Sequence, residues 1–137
     1  MPFSPFALKR PDAAEETRTL TDPNQPGVQM TITLRTRPGF SAMMEIADKA
    51  AQYVADWVDG PKAGPLPVPN FGEVTLNRAT VDSIARIQTM HVPTQETPAL
   101  DIMGWAVVSE VMPSLFTELA TWAITLQTGK DSDLKNG

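Results

Sequence analysis

Apolar side chains recur at two different spacings along the chain. Across residues 28–35, Val28, Met30, Ile32 and Leu34 alternate with Gln29, Thr31, Thr33 and Arg35. That period of two is the pattern of a strand with one buried face. Just ahead, Thr17, Thr19 and Thr21 fall on one side of a short stretch and Arg18 and Leu20 on the other. Their β-branched character suits extended backbone. Between the two stretches lies Asp22-Pro23-Asn24-Gln25-Pro26-Gly27, in which proline presets one turn position and glycine supplies positive φ. The pattern predicts an antiparallel hairpin.

After Pro38-Gly39 the spacing changes. Phe40, Met43, Met44, Ala47, Ala50, Ala51, Val54, Trp57 and Val58 recur at three and four, which predicts a helix over 41–58. Ser41 is its expected cap, Glu45 and Asp48 favour the positive end of its dipole, and Glu45 can pair with Lys49 one turn on. Residues 59–72 hold four prolines and three glycines and read as a surface connection packed through Leu66, Val68 and Phe71. A second helix is expected over 78–90, with Val81, Ile84, Ala85 and Met90 along one side. A third, over 99–111, carries Leu100, Ile102, Met103, Trp105, Ala106, Val107, Val108 and Val111; its stripe is broad, so it should be the most buried. Pro113 opens a fourth, where proline is tolerated in the first turn, with Leu115, Phe116, Leu119, Trp122, Ala123 and Leu126 on its apolar side.

The expected fold class is therefore α+β, an N-terminal antiparallel β-hairpin followed by a bundle of about four α-helices. Residues 1–16, rich in proline, read as an extended arm bearing Phe3 and Phe6. Residues 17–128 read as one domain and 129–137 as a polar tail. Helix 41–58 is expected to cover the apolar face of strand 28–35. The strand's second edge is left open to a further strand.

Composition narrows the class. A chain of 137 residues with 42% hydrophobic and 20% charged residues suits one core of ordinary globular kind. A net charge of −5 without a Lys/Arg cluster argues against broad contact with nucleic acid. With no cysteine there are no disulfides, thiolate metal sites or Cys nucleophiles, which fits a reducing cytoplasm. The segment MPFSPFALKRPDAAEE has no long apolar run and does not read as a signal peptide. No run approaches the roughly 18 apolar residues that a membrane helix needs.

Candidate chemistry is thin. His91 is the single histidine, too few for a multi-histidine metal site, and it falls at a helix end. Ser41, Ser83, Ser109 and Ser114 stand in no G-x-S-x-G elbow. Thr128-Gly129-Lys130-Asp131 lacks the rest of a phosphate loop. Asp131 and Asp133 open like a calcium loop, but Lys135 takes a ligand position. Glu45, Asp48, Asp56 and Asp59 read as a solvated helix face rather than a tuned acid/base pair. No catalytic, metal or cofactor-binding residue is assigned, and no cofactor is expected.

The apolar residues allow a second use. Trp57, Trp105 and Trp122 lie on helix stripes, where a core position is the first expectation. Yet three tryptophans and seven methionines could overfill one small core. Methionine suits adaptable binding surfaces and tryptophan the centres of interfaces. Phe3, Phe6, Met43, Met44, Trp57, Trp105 and Trp122 are the candidate partner-binding residues.

Four stretches, TLTDPNQPGVQMTITLR, FSAMMEIADKAAQYVADWV, VTLNRATVDSIARIQTM and VVSEVMPSLFTELATWA, together spanning roughly residues 17–127, resemble the small tail assembly chaperones of long-tailed bacteriophages. The carrying motifs are a D-P-x-x-P-G turn before T-x-T-L-R and a last helix of the form M-P-x-x-F-x-x-L-x-x-W. The resemblance implies a non-enzymatic protein of the infected cell's cytoplasm. It would bind the tape measure protein, keep that protein's hydrophobic helices soluble, and help recruit the major tail protein, with self-association into a homo-oligomer compatible with the role. Neither nucleic acid nor membrane is an implied partner, and the family has no catalytic residues to carry across. The competing reading is a permanent particle component, such as a neck, tail-completion or minor tail protein, in which the N-terminal arm straps neighbouring subunits.

Overall fold

The computed structural model describes residues 14–36 and 39–128. It has the predicted α+β architecture, a β-hairpin followed by four helices. Strand β1 spans Ala14–Thr21 and β2 Gln29–Thr36, paired antiparallel from Ala14 opposite Thr36 to Thr21 opposite Gln29. Leu20, Ile32 and Leu34 form the buried side. On the other side the hydroxyls of Thr17 and Thr33 meet at 2.7 Å and those of Thr19 and Thr31 at 2.9 Å, so cross-strand threonines satisfy one another. The strand begins three residues before the predicted Thr17, inside the segment expected to be an arm. Pairing continues there because Glu15, opposite Arg35, makes an ion pair with it at 3.0 Å. The rest of the arm, with Phe3 and Phe6, and the tail 129–137 lie outside the described residues.

The turn does more than reverse the chain. Asp22 is buried, and its carboxylate accepts from the Asn24 backbone N–H (3.0 Å) and from Gln25 Nε2 (2.9 Å). An Asx turn of this kind satisfies a buried carboxylate locally. Asn24 Nδ2 then donates to Ser114 Oγ at 3.3 Å and Gln25 Nε2 reaches the Val111 carbonyl at 3.5 Å. The hairpin end is thus pinned to the junction of the last two helices.

Helix α1 spans Phe40–Tyr53 and continues as a π-helical turn over Val54–Val58. Residues 59–72 are not the plain connection expected. They lead into a small antiparallel ribbon, β3 (Leu66–Val68) and β4 (Gly72–Val74). Prolines exclude a central strand but not a two-stranded ribbon, where Pro67 need only face away from its neighbour. Val68, Val74 and Leu76 reach the core, whereas Phe71 is 54% exposed and does not pack as predicted. Helix α2 spans Arg78–Met90, capped by Asn77, whose Oδ1 accepts the Thr80 N–H at 2.8 Å. Strand β5 (His91–Val92) follows directly. Helix α3 spans Ile102–Val111, starting later than predicted because Asp101 caps it, its Oδ1 accepting the Gly104 N–H at 2.9 Å. Of α3 only Glu110 is exposed, in line with its broad stripe. Helix α4 runs from Pro113 to Thr128.

Two packing expectations need correction. Helices α2 and α4, not α1, lie against the hairpin, and α1 packs chiefly on α2. The reason is that α2 is apolar over much of its circumference, burying Val81, Ile84, Ala85, Ile87 and Met90, so it takes the central place and separates α1 from the sheet. The second edge of β2 is also not open. Strand β5 pairs there, Val92 opposite Thr33 and His91 opposite Leu34, and the Thr97 hydroxyl donates to the Thr31 carbonyl. With the order β1-β2-β5, β2 is central and the outer edge belongs to β1.

A candidate protein-docking face on the first helix

Helix α1 begins poorly. Its N-cap is Gly39, at φ 127°, and no side chain caps it. The expected cap Ser41 falls inside the first turn because the helix already starts at Phe40. Among the described residues no N-cap side chain serves its first N–H groups, whereas Asn77 and Asp101 do so for α2 and α3.

The helix also faces an unexpected way. Its one fully buried residue is Ile46, which was not part of the predicted stripe. Phe40 is 76%, Met43 58% and Met44 43% exposed, and Ala47 and Ala51 are exposed as well. Ala50, Val54, Trp57 and Val58 are half-buried. At 100° per residue, Ile46, Ala50 and Tyr53 define the covered arc, while Phe40, Met43, Met44, Ala47 and Ala51 form a contiguous apolar arc beside it. The apolar surface is wider than α2 alone can cover. What remains is a stripe roughly 16 Å long, the rise of 11 residues, rimmed by the exposed polar residues Ser41, Asp48 and Gln52.

The far end of the element is held firmly. The Tyr53 hydroxyl donates to Gln88 Oε1, and Gln88 Nε2 donates to the Leu100 carbonyl at 3.2 Å. Burial raises the Tyr53 pKa above its usual value, with the Gln88 bond opposing and the Asp101 charge adding to the rise. The Asp59 N–H closes the π turn on the Val54 carbonyl at 2.9 Å. A Cβ on Gly60 would stand 1.7 Å from the Ala55 carbonyl oxygen, so only glycine fits there. Trp57 packs against the core with Lys62 Nζ 5.2 Å above its ring. The stripe thus projects from a helix anchored at its C-terminal end and loosely capped at the other.

The other candidates for partner contact fare differently. Trp105 is fully buried and Trp122 is 3% exposed; both belong to the core and are withdrawn from the partner surface. Their indole N–H groups find no acceptor among the described residues. Trp105 instead meets the His91 ring edge-on at 5.7 Å, and Trp122 lies under the Arg18 guanidinium at 4.8 Å. Of the predicted set, Met43 and Met44 reach the surface and Trp57 does so in part. The sequence pattern places Phe40 only on the stripe, although an aromatic one position before the expected helix start is a visible sign of an uncovered end.

No chemistry assembles elsewhere among the described residues. Ser83 and Ser109 share a cleft of about 330 Å³ with Asn77, Thr80, Glu110 and Thr117, but His91 is not part of it. Burial lowers the His91 pKa, opposed by a hydrogen bond to the Thr97 backbone. Asp59 is bound to Arg78. Among the described residues no three His, Asp or Glu side chains stand close enough to hold a metal ion, and no helix is long and apolar enough to cross a membrane. Compared with protein-family models, curated proteins and solved structures, the chain matches none.

Proposed function

We propose that this protein is a non-enzymatic assembly chaperone of a long-tailed phage, acting in the host cytoplasm on the tape measure protein. One observation carries the reading: the uncovered Phe40, Met43 and Met44 stripe on α1. Three large apolar side chains on one helix face have a hydration cost that an apolar partner removes. Unbranched methionines let such a face accept helices of varied shape. A hydrophobic helix laid against the stripe would meet it at i, i+3 and i+4 spacing, the helix-in-groove mode of recognition. The four stretches that resemble tail assembly chaperones add the partner's identity.

Co-expression tests it. The tape measure protein should stay soluble with the wild-type chain and precipitate with a Phe40→Ser/Met43→Ser/Met44→Ser variant. Equal solubility with both removes the stripe from the function. Purified virions separate this reading from that of a permanent particle component, since a chaperone should be missing from them.

A further inference from the structure

The outer edge of β1 is eight residues long and, among the described residues, pairs with nothing. We propose that it pairs antiparallel with the same edge of a second copy, about a two-fold axis at Thr17. The first support is hydrogen-bond parity. The Asp22 N–H bonds the Val28 carbonyl at 3.0 Å, and the register runs on from there without a bulge. Bonded and non-bonded pairs alternate in such a ladder, so Ala14, Glu16, Arg18 and Leu20 direct their backbone groups at β2. Glu15, Thr17, Thr19 and Thr21 direct theirs outward. The close Thr17–Thr33 and Thr19–Thr31 hydroxyl contacts agree, because side chains approach most nearly in non-bonded pairs.

Charge then selects the register. A two-fold at Thr17 places Thr17 opposite itself, Glu15 opposite Thr19, and Glu16 of each copy opposite Arg18 of the other in a close non-bonded pair. A two-fold at Glu16 or at Arg18 would oppose like charges. One at Thr19 would bring Glu16 against Asp22. A two-fold at Leu20 would set Arg18 opposite Asp22, but that carboxylate is buried and already held by Asn24 and Gln25. The Thr17 register pairs two exposed opposite charges, and does so twice by symmetry. Glu16 and Arg18 now bond each other within the strand at 3.2 Å, their side chains 45% and 48% exposed, so both are within reach of a second copy. The result is a continuous sheet with three strands from each molecule, which closes the edge that would otherwise invite aggregation. This inference does not depend on the chaperone reading.

Solution mass, by light scattering or sedimentation, tests it with three kinds of variant. The wild-type chain should show twice the mass of one chain. Thr17→Pro deletes an outward N–H that β2 does not use, and should give a monomer. Glu16→Arg or Arg18→Glu alone should weaken association at least about tenfold, because each puts two like-charged pairs across the axis. The double exchange Glu16→Arg/Arg18→Glu should restore it. Glu16 makes no contact with the core cluster, so Glu16→Arg decides the matter even where the proline variant unfolds, whereas Arg18→Glu also gives up the contact of its guanidinium with Trp122. A wild-type chain that stays monomeric at its highest soluble concentration overturns the proposal, as does a dimer indifferent to both single charge changes.

Discussion

Helix α1 with its π turn and helix α4 carry apolar stripes of similar composition, one with Phe40, Met43, Met44 and Trp57, the other with Leu115, Phe116, Leu119 and Trp122. In α4 the stripe is the buried face, and Leu115, Phe116, Leu119, Trp122 and Ala123 all enter the core. In α1 the large residues of the first turns stay outside and Ile46 alone is buried. What differs is the neighbourhood. Helix α4 meets the hairpin, α2 and α3, whereas α1 meets mainly α2. Periodicity thus marks a face that avoids water without saying whether the cover comes from the same chain.

Substitutions can sharpen this contrast. The largest effect should come from the core side: Trp105→Ala should cost about 3–5 kcal/mol, read by urea unfolding, since Trp105 is fully buried. Gly60→Ala should follow, at about 2–3 kcal/mol, because its Cβ would collide with the Ala55 carbonyl and the π turn must open. Next come the caps. Asn77→Ala should cost about 1 kcal/mol, whereas Ser41→Ala should change stability by less than about 0.5 kcal/mol; equal costs would show that α1 is capped like its neighbours.

The smallest effect is the pH dependence from His91. Its pKa is lowered in the folded chain by burial, so between that value and the ordinary one near 6.5 the unfolded chain binds more protons. Its contribution to stability is complete above about pH 6.5 and lost as pH falls through the folded value. Thermal unfolding at neutral and mildly acidic pH should show the decline, and His91→Phe should flatten it.

Much of the fold was legible from residues alone. The alternation of 28–35, the three-and-four spacing of 78–90 and the Met112-Pro113 break name their elements, because each pattern is local. The ribbon β3–β4 was hidden by its prolines, and β5 is two residues long, too short to carry a period. That β5 closes the edge of β2 depends on how far the chain travels between Thr33 and Val92, which no local pattern encodes. The site was half legible: Met43 and Met44 were named as partner contacts, but Trp105 and Trp122 were named beside them. Nothing in a stripe distinguishes a tryptophan with three neighbouring elements from a methionine with one.

The central claim is that the α1 stripe is apolar for a partner and not for the fold. Titrating a hydrophobic helical segment of the tape measure protein into wild-type chain and into the Phe40→Ser/Met43→Ser/Met44→Ser variant tests it, with urea unfolding of both on the same samples. We expect affinity to fall at least about a hundredfold while the unfolding midpoint stays within the range of surface substitutions. Unchanged binding, or a variant that unfolds as readily as Trp105→Ala, would contradict the claim.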